Sequence, residues 1–99
     1  MKNTPRPTVD FTNRFNNQRK IAPLEIKIAF REALELFLGD PDNNSLKNHS
    51  LDKLSKRFFG ARSINVTDDW RALYREERIH IIFVEIGTHL EFSGLFLMT

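Results

Sequence analysis

The stretch ARSINVTDDWRALYREERIHIIFVEIGTHLEF, residues 61–92, decides the fold. Arg62 to Val66 alternates apolar and polar residues, Thr67-Asp68-Asp69 has the composition of a turn, and Trp70 to Arg75 alternates again. Glu76-Glu77-Arg78 predicts a second short turn. The run Ile79 to Ile86 that follows is almost continuously apolar, as a strand inside a sheet should be. A three-residue loop at Thr67–Asp69 sets Val66 opposite Trp70 and Ile64 opposite Ala72 on a core face. The other face then gathers Ser63, Asn65 and Arg71. That face looks like the wall of an anion site; the alternative is the ordinary polar outer face of a sheet.

Working towards the N-terminus, Asp40 to Arg57 is a long polar connection (DPDNNS, then LKNHSLDKLSKR) that Leu46, Leu51 and Leu54 are expected to pin to the body. Before it, Pro23 to Leu38 reads as the strongest helix. Pro23 suits the first helical position, and Ile26, Phe30, Ala33, Leu34 and Phe37 fall on one face. Gly39 is expected to close this helix in a left-handed conformation, with Pro41 preventing its resumption. Thr12 offers an N-cap to a short polar helix reaching about Arg19 that buries Phe15. Thr8 to Phe11 alternates as a short strand, and residues 1–7 form a loose lead-in to a domain over residues 8–99. Towards the C-terminus, Leu95 to Met98 is a candidate edge strand. Helices that precede an antiparallel meander place the chain in the α+β class.

Composition narrows the chemistry. The 99 residues include no cysteine, which excludes disulfides, thiolate metal sites and cysteine nucleophiles. No apolar run reaches membrane-spanning length and MKNTPRPTVD carries no signal-peptide core, so a cytoplasmic protein with no membrane partner is expected. Fifteen Lys and Arg against thirteen Asp and Glu leave a net charge of only +2. The distribution is more telling. Lys47, Lys53, Lys56, Arg57 and Arg62 face a single acid, Asp52, between residues 47 and 62, whereas Glu76, Glu77, Glu85 and Glu91 gather later with Arg78 as the one base. Such a basic segment suits phosphates or an acidic partner; an unevenly charged solvated surface is the alternative.

LKNHSL (46–51), ARSINVTDDWRALYR (61–75) and FVEIGTHLEF (83–92) together resemble the RelE/ParE superfamily of toxins from type II toxin–antitoxin modules, and within it the YafQ-like branch. The shared order is a long helix ending near a DP turn, an H-x-L element, an S-I-x-V-x-x-D-W-R-x-x-Y hairpin and a terminal I-G-T-H. The resemblance spans about Phe11 to Phe92. It implies a RelE-like domain with two N-terminal helices packed on a small, mainly antiparallel twisted sheet. It also implies a ribosome-dependent mRNA endoribonuclease that needs no metal or cofactor. In such enzymes a ribose 2′-hydroxyl attacks the adjacent phosphate, which calls for a base, an acid and positive charge on the phosphorane.

Carried over by position, the resemblance marks His49, Asp69 and His89 as catalytic, with Trp70 as an aromatic partner and Arg71 on the scissile phosphate. Imidazole suits both proton transfers near neutral pH, and either histidine can take either role. Asp69 orients a histidine or caps its turn. Trp70 stacks on a base or packs in the core, and Arg71 holds phosphate or pairs with Glu85 or Glu91. Lys53, Lys56, Arg57 and Arg62 would hold RNA backbone. His80 lies outside every motif and is assigned to structure. Two positions depart from the branch. Asn65 stands where a further histidine is common and cannot transfer a proton, and Ser93 stands where an aromatic residue is usual, with Phe92 one place earlier. These departures leave room for a slower enzyme or altered codon choice. The implied partners are a cognate antitoxin, whose acidic tail would lie on the Lys47–Arg62 segment, and the ribosome with its mRNA. The alternative is a non-nucleolytic member, either a ParE-like DNA gyrase inhibitor or an attenuated toxin acting through protein binding.

Overall fold

A computed structural model describes residues 7–52 and 58–92. Lys53, Leu54, Lys56, Arg57, Ser93 and the expected strand at Leu95–Met98 lie outside the described residues. The elements run in the order β1 (Thr8–Phe11), α1 (Asn13–Ile21), α2 (Leu24–Gly39), a 3-10 turn (Asn44–Leu46), β2 (His49–Ser50), β3 (Ala61–Asn65), β4 (Trp70–Glu77) and β5 (His80–Thr88). The strands form one sheet in the order β1-β5-β4-β3-β2. Among the described residues, only β1 runs parallel to its neighbour. The fold is α+β, with two helices packed on a mainly antiparallel sheet.

The core lies between the helices and one sheet face. Ile26, Phe30, Ala33 and Phe37 repeat at helical spacing on α2 and are all buried. They meet Ile64, Ala72, Tyr74, Ile81, Phe83 and Ile86 of the strands. Phe83 is the hub: its ring centroid lies 5.2 Å from Phe30, 5.6 Å from Tyr74 and 5.7 Å from Phe15. Edge-to-face and tilted pairs of this kind add about 0.5–1.5 kcal/mol each beyond the area they bury. Thr12 caps α1 by accepting the Phe15 N–H at 3.0 Å, and its own hydroxyl donates to the Val84 carbonyl at 3.1 Å. The cap therefore also docks the helix on β5. Beyond Phe83, where β1 ends, Gln18 of α1 accepts the Ile86 N–H at 2.9 Å and covers the exposed edge. His80 ties the first strand down: its Nε2 lies 3.1 Å from Asp10 and its Nδ1 is hydrogen-bonded to Thr8.

The expected hairpin register is observed, with Ile64 opposite Ala72 and Asn65 opposite Arg71. Several local expectations are corrected. Gly39 stays helical, and Asp40 forms the cap at φ −153° and ψ 73°, its N–H donating to the Leu36 carbonyl at 2.7 Å. Asp40 can end the helix because it also starts the next turn, accepting the Asn43 backbone N–H at 3.0 Å and its side chain at 3.1 Å. Pro23 is the N-cap rather than the first helical residue. The second turn is Arg78-Ile79, since Glu77 still pairs with His80. Glu76 and Glu77 are exposed, so their charge does not oppose a strand there, and Arg78 makes the reversal at φ 58°. Among the described residues, no helix is long and apolar enough to cross a membrane.

Candidate active site

The sheet face turned away from the helices carries a second, smaller core of Leu51, Phe58, Ala61, Leu73 and Phe92. Beside it opens a cleft of about 230 Å³. Lys47, His49 and Leu51 form one wall, Ser63, Asn65, Arg71 and Leu73 the floor, and His89 and Phe92 the opposite wall. The polar trio foreseen on the outer face of the hairpin is thus the floor of a cleft, with a histidine on either side. No carboxylate is among the described residues that line it. With Lys47 and Arg71 present, the cleft is cationic and suited to a phosphate.

His49 belongs to a strand rather than the loop expected for it: β2 is two residues long and pairs His49 with Ser63. Its Nδ1 lies 2.7 Å from the Lys47 carbonyl. A carbonyl only accepts, so Nδ1 carries the proton, and in the neutral ring Nε2 presents the lone pair. That is the form a general base needs. The carbonyl reaches this place because Lys47 adopts the left-handed region, at φ 47°.

His89 lies directly after the end of β5. It opens a helical turn over residues 89–92. The Thr88 hydroxyl accepts the Glu91 N–H at 3.1 Å, and the Glu91 carboxylate accepts the Thr88 N–H at 2.7 Å. This is a reciprocal capping box, and the T-x-x-E spacing of THLE was its sequence signal. Gly87 makes room for it: a Cβ there would stand 3.0 Å from Glu91 Oε1 and 3.2 Å from Phe92 Cζ. GTHLEF therefore works as a unit, with Gly87 as clearance, Thr88 and Glu91 as the cap, and Phe92 as the buried anchor.

Arg71 pairs with neither Glu85 nor Glu91. Its Nη1 donates to the carbonyls of Thr67, Asp68 and Trp70 at 3.1, 2.9 and 3.3 Å. The turn therefore fixes the guanidinium of a residue that lines the cleft floor. Glu85 instead lies 3.2 Å from Arg14. Asp69 is exposed and is not part of the cleft lining. It enters through its main chain, whose carbonyl accepts the His89 N–H. Trp70 packs partly buried against the helix-side core, on the other side of the sheet.

Arg62 shares the strand face opposite Ser63. Its Nε donates to Asn48 Oδ1 at 3.0 Å rather than reaching into the cleft. Of the residues marked from sequence, the cleft gathers His49, Asn65, Arg71, His89 and Phe92. Ser63, set on the same face by the strand alternation, joins them, and so does Lys47. Lys47 had been counted only as part of a basic segment, and nothing in its identity signals a left-handed backbone. Among the described residues, no group of three or more His, Asp or Glu side chains is placed to hold a metal ion.

No known family's sequence model matches this chain, and no curated protein matches it by sequence. Solved structures do match its shape. YafQ from Escherichia coli strain BL21(DE3) superposes with a TM-score of 0.72 at 20% identity, over 89% of this chain and 99% of that one. YafQ in the E. coli DinJ–YafQ toxin–antitoxin complex gives 0.69 at 19% identity, covering 88% and 97%. A YoeB/ParE toxin from Agrobacterium tumefaciens gives 0.65 at 13%, covering 83% and 98%. The chain has the YafQ-like fold of the RelE/ParE toxins.

Proposed function

We propose that this chain is the toxin of a toxin–antitoxin pair and acts as an endoribonuclease on mRNA in the ribosome. The observation that carries the reading is the cleft itself, in which two histidines flank an arginine and an amide with no carboxylate among the described lining residues. RNA placed there can be cut without a metal. His49 Nε2 takes the proton of a ribose 2′-hydroxyl, whose oxygen forms a bond to the adjacent phosphorus. Arg71 and Lys47 hold the charge that builds on the non-bridging oxygens, and Asn65 donates a hydrogen bond to one of them. The P–O5′ bond breaks as His89 protonates the departing oxygen, leaving a 2′,3′-cyclic phosphate and a 5′-hydroxyl. The two histidines can exchange roles. Asn65 supplies a hydrogen bond rather than a third proton-transfer group.

The cognate antitoxin is the expected protein partner, as DinJ is for YafQ in their solved complex. The reading is tested by inducing the chain in cells and mapping mRNA ends, beside the His49→Ala and His89→Ala variants. Growth arrest with cuts at defined codon positions, lost in both variants, supports it. Arrest with uncut mRNA and altered DNA supercoiling would replace it with gyrase inhibition.

A further inference from the structure

His49 stands on a strand of two residues with two ladder partners, which is too short to hold a side chain still. The residue before it supplies what the ladder lacks. Successive residues of a strand point to opposite faces, so while His49 lines the cleft, Asn48 reaches the helix-side face. There its Nδ2 lies 2.9 Å from the Tyr74 hydroxyl and donates to the Pro41 carbonyl at 3.2 Å. Its Oδ1 accepts from the Tyr74 hydroxyl at 3.1 Å and from Arg62 Nε at 3.0 Å. Arg62 can only donate and the Pro41 carbonyl can only accept, so the amide has one orientation. Tyr74 is 2% exposed and is fixed by its ring contacts with Phe37 and Phe83. The anchor therefore belongs to the core.

We propose that Asn48 is a positioning residue for His49: clasped by Tyr74 and Arg62, it fixes the segment that places the ring and selects its tautomer. The proposal rests on the reading of His49 as an acid–base group. The coupling is through the backbone. Lys47, at φ 47°, is held in a conformation that a side chain with a Cβ resists, and its carbonyl accepts the hydrogen bond that His49 Nδ1–H donates. Freeing Asn48 lets Lys47 relax and withdraws that carbonyl, so Nε2 no longer presents its lone pair in a fixed place. Arg62, on this account, acts through Asn48 rather than on RNA.

Tyr74→Phe deletes the hydroxyl and keeps the ring in the core; Asn48→Ala deletes the clasp; Arg62→Met deletes the Nε donor, keeps the apolar stem and serves if either of the others fails to fold. On ribosome-bound message each is expected to lower kcat about tenfold to a hundredfold. KM should stay within about twofold. Asn48→Asp still accepts from Tyr74 and Arg62 but sets a carboxylate oxygen against the Pro41 carbonyl, so it too is expected to lower kcat. In a His49→Ala background the same changes should cost nothing further. Nitrogen-15 spectra of the free protein should show the His49 ring moving from the Nδ1–H form towards a mixture in Tyr74→Phe and Asn48→Ala. An unchanged ring spectrum with wild-type kcat in these variants would overturn the clasp. If His49→Ala itself cleaves normally, the nuclease reading has failed, and the ring spectrum, which needs no RNA, alone decides the clasp.

Discussion

The backbone N–H of His89 donates to the carbonyl of Asp69. One main-chain hydrogen bond thus joins the turn that aims Arg71 to the turn that presents His89, although the two motifs stand far apart in the chain. The Asp69 carbonyl that closes this junction stands in the same turn as the three that receive Arg71 Nη1, so phosphate binding and proton transfer share a scaffold. Arg71→Lys keeps the charge but cannot donate to three carbonyls while also facing the cleft. Cleavage should fall about a hundredfold, and Arg71→Ala should be no better. Rates measured on ribosome-bound message check this, and near-wild-type activity in Arg71→Lys would remove the fork from the account.

The cap beneath His89 gives a prediction about stability and activity together. Thr88→Ala should lower stability by about 1 kcal/mol, the usual worth of such a cap. Glu91→Gln can still accept the Thr88 N–H and should be close to neutral. Gly87→Ala forces a methyl group against Glu91 and Phe92. It should cost about 1–3 kcal/mol and displace His89. Urea unfolding with parallel cleavage assays checks all three.

Phe83 is fully buried and touches rings from β1, α1, α2 and β4. Phe83→Ala should cost about 3–5 kcal/mol. That is a large part of the roughly 5–15 kcal/mol by which domains are stable. Thermal unfolding should show a sharply lowered midpoint or no folded baseline.

Burial raises the Tyr74 phenol above its ordinary pKa, against the opposing effects of Asn48 and Arg62. As pH rises, the unfolded chain loses this proton first, so the folded state binds more protons and stability falls. The stabilisation is complete below the ordinary tyrosine value of about 10 and is lost as pH climbs past it. Tyr74→Phe should flatten this alkaline decline in a series of unfolding curves taken between neutral pH and pH 11.

Much of this was legible in the sequence, for reasons that particular residues show. The loop length at Thr67–Asp69 and the alternation on each side were enough to place Asn65 opposite Arg71, because strand periodicity leaves no other register that buries Ile64 and Ala72. The pairing of His49 with Ser63 was not legible, since two residues carry no periodicity. The THLE cap was present in the letters, but a helical turn so short makes no apolar pattern to draw attention to it. Trp70 and Arg71 are neighbours that the pleat sends to opposite faces, and the strand alternation already set Trp70 on the core face and Arg71 on the other. Arg62 was expected to hold RNA backbone, and its bond to Asn48 crosses from sheet to loop, a contact that no local pattern signals.

The most direct measurement programs purified ribosomes with a defined mRNA, adds the purified protein and determines both ends created at any cut. A break within the ribosomal A site is expected, leaving a 2′,3′-cyclic phosphate and a 5′-hydroxyl, made by the wild-type chain and abolished in His49→Ala and His89→Ala. Intact mRNA with the folded wild-type protein, or cutting that survives both substitutions, would contradict it.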